Sequence, residues 1–118
     1  MAAILQDYTK VSIFEEIETH PSWHGLMSGL HAEKILRDRK IPYLYLLRAG
    51  ELKNDYYVTF ILPDFSIKHQ PFIITDSFEG WYYENAGGGG PYIEESIEDV
   101  LHLIMHCQKK DCVAFEKE

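Results

Sequence analysis

Runs of aromatic and aliphatic residues, separated by polar turns, predict the strands of this chain. These runs carry the residue types that favour β-structure and are bounded by turn residues. Pro71 lies inside the third run and cannot donate a ladder hydrogen bond, so it predicts a sheet edge or a bulge there. The predicted strands cover Tyr43–Arg48, Tyr56–Ile61, Ser66–Thr75, Trp81–Tyr83 and Val113–Phe115.

Two segments in the first third of the chain have the signals of helices. Ser12 and Glu15 have capping-box spacing, which predicts a short helix through about residue 19 that Pro21 ends. Ser28 is a suitable N-cap for a second helix that extends to about Arg37. The residues at helical spacing on its inward face are Ala32, Ile35 and Leu36.

A third helix is predicted to open at Glu94–Glu95, where acidic side chains suit the positive end of the helix dipole. Closely linked strands pair antiparallel, so the economical arrangement is an α+β fold with a central antiparallel β-sheet flanked by two α-helices. The apolar positions of the third helix are Ile97, Val100, Leu101, Ile104 and Met105.

Length and charge limit the classes of function. The chain has 118 residues, which is the size of one domain. We expect residues 1–22 to be a lead-in and residues 23–118 to form the domain. Eleven basic and 19 acidic residues give a net charge of −8, which disfavours nonspecific binding to nucleic acid or to an anionic membrane.

The cysteine content and the apolar runs indicate a reduced, cytoplasmic setting. Cys107 and Cys112 are too few for a disulfide framework. No apolar run approaches the roughly 20 residues of a membrane span, and Met1–Leu5 is too short for a signal-peptide core.

Arg48 is the candidate functional residue that the strand pattern isolates. Side chains alternate along a strand, so Arg48 shares a face with Leu44 and Leu46. A charge on an apolar face is costly unless an opposite charge meets it, and arginine does not deprotonate in proteins. Two solutions are open: an internal carboxylate such as Glu33 or Asp55 pairs with Arg48, or an anionic ligand binds it.

Five short motifs, in order and spacing, resemble those of the Src homology 2 domain, the phosphotyrosine-reading module of eukaryotic signalling. The resemblance extends from about Trp23 to Phe115, and each motif alone is weak. The motifs are Trp23-His24-Gly25, Ala32-Glu33-Lys34-Ile35-Leu36, Tyr45-Leu46-Leu47-Arg48, Lys68-His69 and Ser96-Ile97-Glu98-Asp99-Val100-Leu101.

The resemblance implies a binding module, not an enzyme, that needs no cofactor and docks its parent protein onto tyrosine-phosphorylated partners. Arg48 would fork onto the phosphate, because a planar guanidinium meets two phosphate oxygens at once. His69 would pack against the phosphotyrosine ring, and Lys68 would line the pocket beside it.

The chain departs from the family pattern where further phosphate or ring contacts are usual. Glycines occupy positions 29 and 50, Leu52 replaces a hydroxyl residue, and Pro71 replaces a lysine that some members use. Replacement donors are expected among Lys53, Asn54, His31, Lys68 and the backbone N–H groups of residues 49–53, where Gly50 would let amides approach an anion.

A second departure concerns the segment that shapes the peptide-specificity pocket in the family. Here it contains Gly87, Gly88, Gly89 and Gly90, which offer no side chains. This loop therefore predicts loose selectivity for the sequence that flanks the phosphotyrosine.

Three alternatives stay open. The fold could serve a phospho-independent protein interaction. A small phosphatase is the rival enzyme class, although neither cysteine precedes a phosphate loop. Zinc binding is the third: His102 and His106 are one helical turn apart, but their spacing to Cys107 and Cys112 matches no usual site, and Cys107 is expected to point away.

Overall fold

A computed structural model describes residues 12–52, 55–75, 80–84, 92–108 and 110–116. Within these residues the chain is α+β, with three helices and a mostly antiparallel sheet of seven strands. The helices are α1 (Ile13–Glu18), α2 (Gly29–Arg37) and α3 (Ile97–Met105). The strands are β1 (Trp23–Leu26), β2 (Leu44–Ala49), β3 (Asp55–Ile61), β4 (Ile67–Ile74), β5 (Trp81–Tyr83), β6 (Tyr92–Glu94) and β7 (Val113–Ala114).

The sheet runs from β1 to β6 in sequence order, and β7 also pairs with β2. Strands β2, β3 and β4 form an antiparallel ladder in which Arg48 lies opposite Tyr57, and Thr59 lies opposite His69. The pairs β1–β2 and β2–β7 are parallel. The two residues that the sequence singles out, Arg48 and His69, thus lie on β2 and β4, on either side of β3.

Serine caps begin all three described helices. Ser12, Ser28 and Ser96 each accept a hydrogen bond from the backbone N–H three residues later. The first two caps are those predicted from the sequence. The predicted start of the third helix at Glu94–Glu95 is wrong, because Ser96 is the cap and Glu94 belongs to β6.

Alternate residues of β2 pack into two different core clusters. Leu44 and Leu46 pack with Ala32, Leu36 and Ile61 in one cluster. Tyr45 and Leu47 belong to the second cluster, which also contains Ile17 of α1, the buried face of α3 and the inner side chains of β3, β4 and β5. The strand therefore carries apolar contacts on both of its faces, and Arg48 continues the face of Leu44 and Leu46.

Pro71 lies in a regular ladder with β3 and causes no shift of register. Strand β5 pairs with β4 only at Ile73 and Ile74, so no described strand pairs with the other side of Pro71. The predicted bulge is absent from the described ladder, and the predicted edge position agrees with the pairing.

The two cysteines are joined by a disulfide, Cys107–Cys112, where the sequence led us to expect reduced thiols. The bridge closes a loop between α3 and β7. None of the helices in the described ranges is long and apolar enough to cross a membrane.

Candidate functional site

Arg48 is buried at the end of β2, with 7% of its surface exposed, and no carboxylate lies within salt-bridge distance of it among the described residues. Glu33, one expected internal partner, instead contacts His69 at 2.9 Å and Arg37 at 3.6 Å. Asp55, the other, makes no ion pair with Arg48. A buried positive charge without a negative partner is costly, and this favours the second solution, an anionic ligand.

Polar contacts from two neighbouring strands and a loop hold the guanidinium in place. Its Nε–H donates to Thr59 Oγ1 at 3.1 Å, and Nη1 donates to the Met27 carbonyl at 3.3 Å. Nη2 donates to His69 Nδ1 at 3.3 Å. Since a guanidinium has five N–H groups, these three contacts leave one N–H on each Nη atom for a ligand, as far as the described residues show.

A hydrogen-bond relay behind Arg48 fixes the histidine. Arginine can only donate, so His69 Nδ1 accepts, and the Thr59 hydroxyl also donates to it at 2.9 Å. His69 Nε2 then carries the proton and donates to Glu33 Oε1 at 2.9 Å. The relay Arg48–Thr59–His69–Glu33 thus connects β2, β3, β4 and α2, and it makes His69 a residue that positions Arg48.

Local electrostatics follow from these contacts. Burial lowers the pKa of the Arg48 guanidinium, and Tyr57 acts in the opposite direction. The Arg48 Cζ atom lies 4.3 Å from the centroid of the Tyr57 ring, a cation–π contact that helps to stabilise the charge. The hydrogen bond from His69 holds the pKa of the Glu33 carboxyl below its usual value, and the positive charge of Arg37 acts in the same direction.

Arg48 faces an open cleft of about 710 Å³ between the start of α2 and the β2–β3 turn. Leu26 and Leu52 stand at this cleft with 84% and 71% of their surface exposed, so the cleft offers two apolar side chains to a ligand. The lining residues are Leu26, Met27, Ser28, Gly29, His31, Arg48, Ala49, Gly50, Glu51, Leu52, Asp55 and Tyr57.

The structure brings some of the predicted site residues together and separates others. Arg48, His31 and Gly50 line the cleft, and His69 contacts Arg48 from behind without lining it. Lys68 is exposed on β4 and is not a lining residue. Lys53, Asn54 and Gly87–Gly90 lie outside the described residues.

Gly29 and Gly50 are set close to other parts of the site. A Cβ atom on Gly29 would lie 3.3 Å from Arg48 Nη2 and 3.4 Å from His69 Cε1. A Cβ atom on Gly50 would lie 3.0 Å from both the Cβ and the carbonyl oxygen of Asp55. Gly29 therefore leaves space beside the guanidinium, and Gly50 allows the close packing of the turn.

One of the backbone amides expected to meet an anion among residues 49–53, that of Gly50, is engaged within the turn. The Gly50 N–H donates to the Asp55 carbonyl at 2.8 Å, so it is occupied within the turn. Glu51 and Asp55 add carboxylates to the cleft lining. Among the described lining residues, the basic side chains are those of Arg48 and His31.

Tyr57 and Thr59 are site residues that the sequence reasoning missed. Both lie on β3, and both reach Arg48 because antiparallel pairing places them opposite or near it. The period-two alternation puts Tyr57 and Thr59 on one face of β3, which was the available signal.

The structure also changes the set of residues that could bind zinc. Cys107 does not point away from the helix face: ligand atoms of His102, Cys107 and Cys112 all lie within 4.8 Å of one another. His106, the other expected ligand, ends α3 in a left-handed conformation and is not part of this group.

Comparison with models of known protein families gives no match for this chain. A search among curated proteins also finds no match. Function is therefore inferred from the geometry of the cleft and from the resemblance of the short motifs.

Proposed function

We propose that this protein is a phosphotyrosine-binding module of the Src homology 2 type, which docks its parent protein onto tyrosine-phosphorylated partners in the cytoplasm. In this arrangement α2 covers one face of the central antiparallel sheet, and α3, with α1 beside it, covers the other. The protein acts by binding and carries out no chemistry on the phosphate.

The observation that carries the proposal is the buried guanidinium of Arg48, which has no carboxylate partner among the described residues and opens onto a cleft. A phosphotyrosine brings about −1.5 to −2 charge and three acceptor oxygens. The N–H groups that remain on Nη1 and Nη2 would each donate to one of two phosphate oxygens, which is a bidentate contact. The ligand thus supplies the negative charge that the free protein lacks at this point.

The apolar rim favours phosphotyrosine over phosphoserine. Leu26 and Leu52 are exposed at the cleft, and an aromatic ring between them would bury part of their surface. A phosphoserine has no ring and is too short to reach a buried arginine. The apolar contacts take the place of the basic contacts that are missing at Gly29 and Pro71.

A smaller apolar groove accounts for recognition beyond the phosphotyrosine. It has a volume of about 160 Å³ and is lined by Pro71, Phe72, Ile73, Tyr82, Tyr83 and Glu84. A groove this small accepts a single side chain. Selectivity remains loose because the glycines at positions 87–90 add no side chains to it.

A titration with one labelled tyrosine peptide, phosphorylated and unphosphorylated, tests the proposal. Wild type is expected to prefer the phosphopeptide, and Arg48→Lys is expected to lose at least about tenfold in affinity because lysine cannot form the fork. Arg39→Lys is the matched control, since Arg39 lies over Phe115 and does not line the cleft. Equal affinity for both peptides would overturn the proposal.

The occupied Gly50 amide and the carboxylates of Glu51 and Asp55 favour a second candidate, a phospho-independent interaction domain on the same fold. For such a domain, phosphorylation of the peptide would not change the affinity in the same titration, and Arg48→Lys would not weaken binding. Release of phosphate from the peptide would instead indicate the phosphatase class.

A further inference from the structure

A second group of chemically reactive side chains lies at the C-terminal end of α3, away from the cleft. His102 is in the last turn of the helix, and Cys107 and Cys112 bound the loop that leads to β7. All three residues are half-buried, and their ligand atoms lie within 4.8 Å of one another. Thiolates and imidazole are the ligands that zinc prefers.

The separation of the two cysteines suits either a disulfide or a metal. Their Cα atoms are 6.1 Å apart, within the usual disulfide range, and the structure has them bonded. Two thiolates on one tetrahedral zinc ion lie roughly 3.8 Å apart, from Zn–S bonds of about 2.3 Å. The side chains can reach that spacing by rotation about their own bonds, without a large displacement of the backbone.

The orientation of His102 is fixed by a backbone contact of the kind that supports metal ligands. Its Nδ1 lies 2.8 Å from the Cys107 carbonyl, which can only accept, so Nδ1 carries the proton. The lone pair of the neutral ring is then on Nε2. A histidine that donates its other nitrogen to a carbonyl is the usual outer support of a zinc site.

We propose that His102, Cys107 and Cys112 form a redox-controlled zinc site. The oxidised form is the disulfide, and the reduced form binds one Zn²⁺ through two thiolates and the imidazole, with the fourth position open to water. This site is independent of the phosphotyrosine proposal.

Reduction of the disulfide precedes the binding of zinc. A dithiol reductant passes two electrons and two protons to the Cys107–Cys112 bond, which gives two thiols and a disulfide of the reductant. Zinc then displaces one proton from each thiol, so two protons are released for each ion bound. An oxidant that reforms the disulfide removes both thiolate ligands and expels the metal.

Zinc titration of the full chain, in competition with a chromophoric chelator, tests the site. The reduced protein is expected to bind one Zn²⁺ per chain, and the oxidised protein none. His102→Gln should weaken binding by at least about tenfold, because one ligand of three is lost. Cobalt in place of zinc should give a thiolate-to-metal absorption band that disappears in Cys112→Ser.

His106→Asn is the matched control, since asparagine tolerates the left-handed conformation of residue 106 and that histidine is outside the group. It should bind zinc as wild type does. The circular dichroism of each metal-free variant shows whether it is folded. No zinc uptake by the reduced protein, or unchanged affinity in folded His102→Gln, would overturn the proposal.

Discussion

The buried charge of Arg48 has a cost to the stability of the free protein. Its charge is buried, and its described partners are a hydroxyl, a carbonyl, an imidazole and an aromatic ring, none of which is anionic in the relay. Replacing a buried charge by an apolar side chain of similar length is often neutral or stabilising.

We therefore expect Arg48→Met to change the free energy of unfolding by less than about 1 kcal/mol, while the affinity for a phosphopeptide falls by an equivalent of about 2–5 kcal/mol. Chemical denaturation and peptide titration measure the two effects on the same sample. A loss of several kcal/mol in stability would show that Arg48 is chiefly a structural residue.

Glu33 gives the relay behind Arg48 a dependence on pH. Its pKa is lowered in the folded protein, chiefly by the hydrogen bond from His69. A carboxyl with a lowered folded pKa stabilises the fold above its unfolded pKa, and this stabilisation is lost as the pH falls through the folded pKa.

In Glu33→Gln this part of the acid sensitivity should be absent. The difference in the free energy of unfolding between wild type and variant is expected to be largest near neutral pH and to shrink from about pH 5 to about pH 3. Urea unfolding across that range measures it. A difference that stays constant with pH would exclude a contribution from the Glu33 carboxylate.

At the residue scale, the sequence could predict that Arg48 lies on an apolar strand face, but not which residues contact it. Local pattern gives the strand and the face on which Arg48 lies. Side-chain chemistry gives its permanent positive charge, since arginine does not deprotonate in proteins. Its contacts with Thr59 and Tyr57 depend on the register between β2 and β3, which local pattern does not fix. For the same reason the sequence could not show that Glu33, one of two carboxylates considered as partners of Arg48, contacts His69 instead.

At the scale of elements, helix boundaries were predictable where the cap was correctly identified. Ser12 and Ser28 each have their expected role, whereas Ser96 was passed over in favour of the acidic pair before it. Strands β1 and β6 were missed because they are short and lack a run of strand-favouring residues such as the aromatic Trp81–Tyr83. Gly25 in β1 also adopts φ +71°, which a regular strand residue would not.

One carboxylate of helix α1 makes polar contacts with two other elements of the fold. Glu16 Oε1 accepts from the Trp81 indole at 2.9 Å and from the backbone N–H of Ile97, the first residue of α3. Ile17, the next residue, is fully buried in the larger core cluster. One side chain therefore connects α1, β5 and α3.

Glu16→Ala is expected to lower the free energy of unfolding by about 2–3 kcal/mol, because two donors lose a charged acceptor. Glu15→Ala is the matched control, since Glu15 is an exposed neighbour in the same helix and should change the stability by less than about 0.5 kcal/mol. Thermal or urea unfolding compares them. Equal losses in the two variants would indicate that only the loss of an acidic side chain from the first helical turn matters, and not the contacts of Glu16.

At the scale of the whole molecule, the charge of the protein opposes that of its proposed ligand. The net charge is −8, and Glu51 and Asp55 place carboxylates at the cleft itself. A phosphopeptide approaches against this field, and salt screens the repulsion over distances of about 8–10 Å. The buried contact with Arg48 is screened much less.

The association rate constant for an acidic phosphopeptide should therefore rise with ionic strength, which is the reverse of the behaviour of a binder with a basic surface. Peptides with lysine or arginine beside the phosphotyrosine should associate faster at low salt. Stopped-flow measurements at low and physiological ionic strength, with acidic and basic flanks, test both statements.

Two variants with the same change of net charge separate the global field from the local one. Asp55→Asn, at the cleft, should raise the association rate and also slow dissociation, because a carboxylate that repels the bound phosphate is gone. Asp38→Asn, at the C-terminal end of α2 and outside the cleft lining, should change only the association rate, and by less. The contrary result would be that salt slows association and that both variants behave alike. The encounter would then be steered by a basic surface outside the described residues, and Arg48 would not be the main attraction for the ligand.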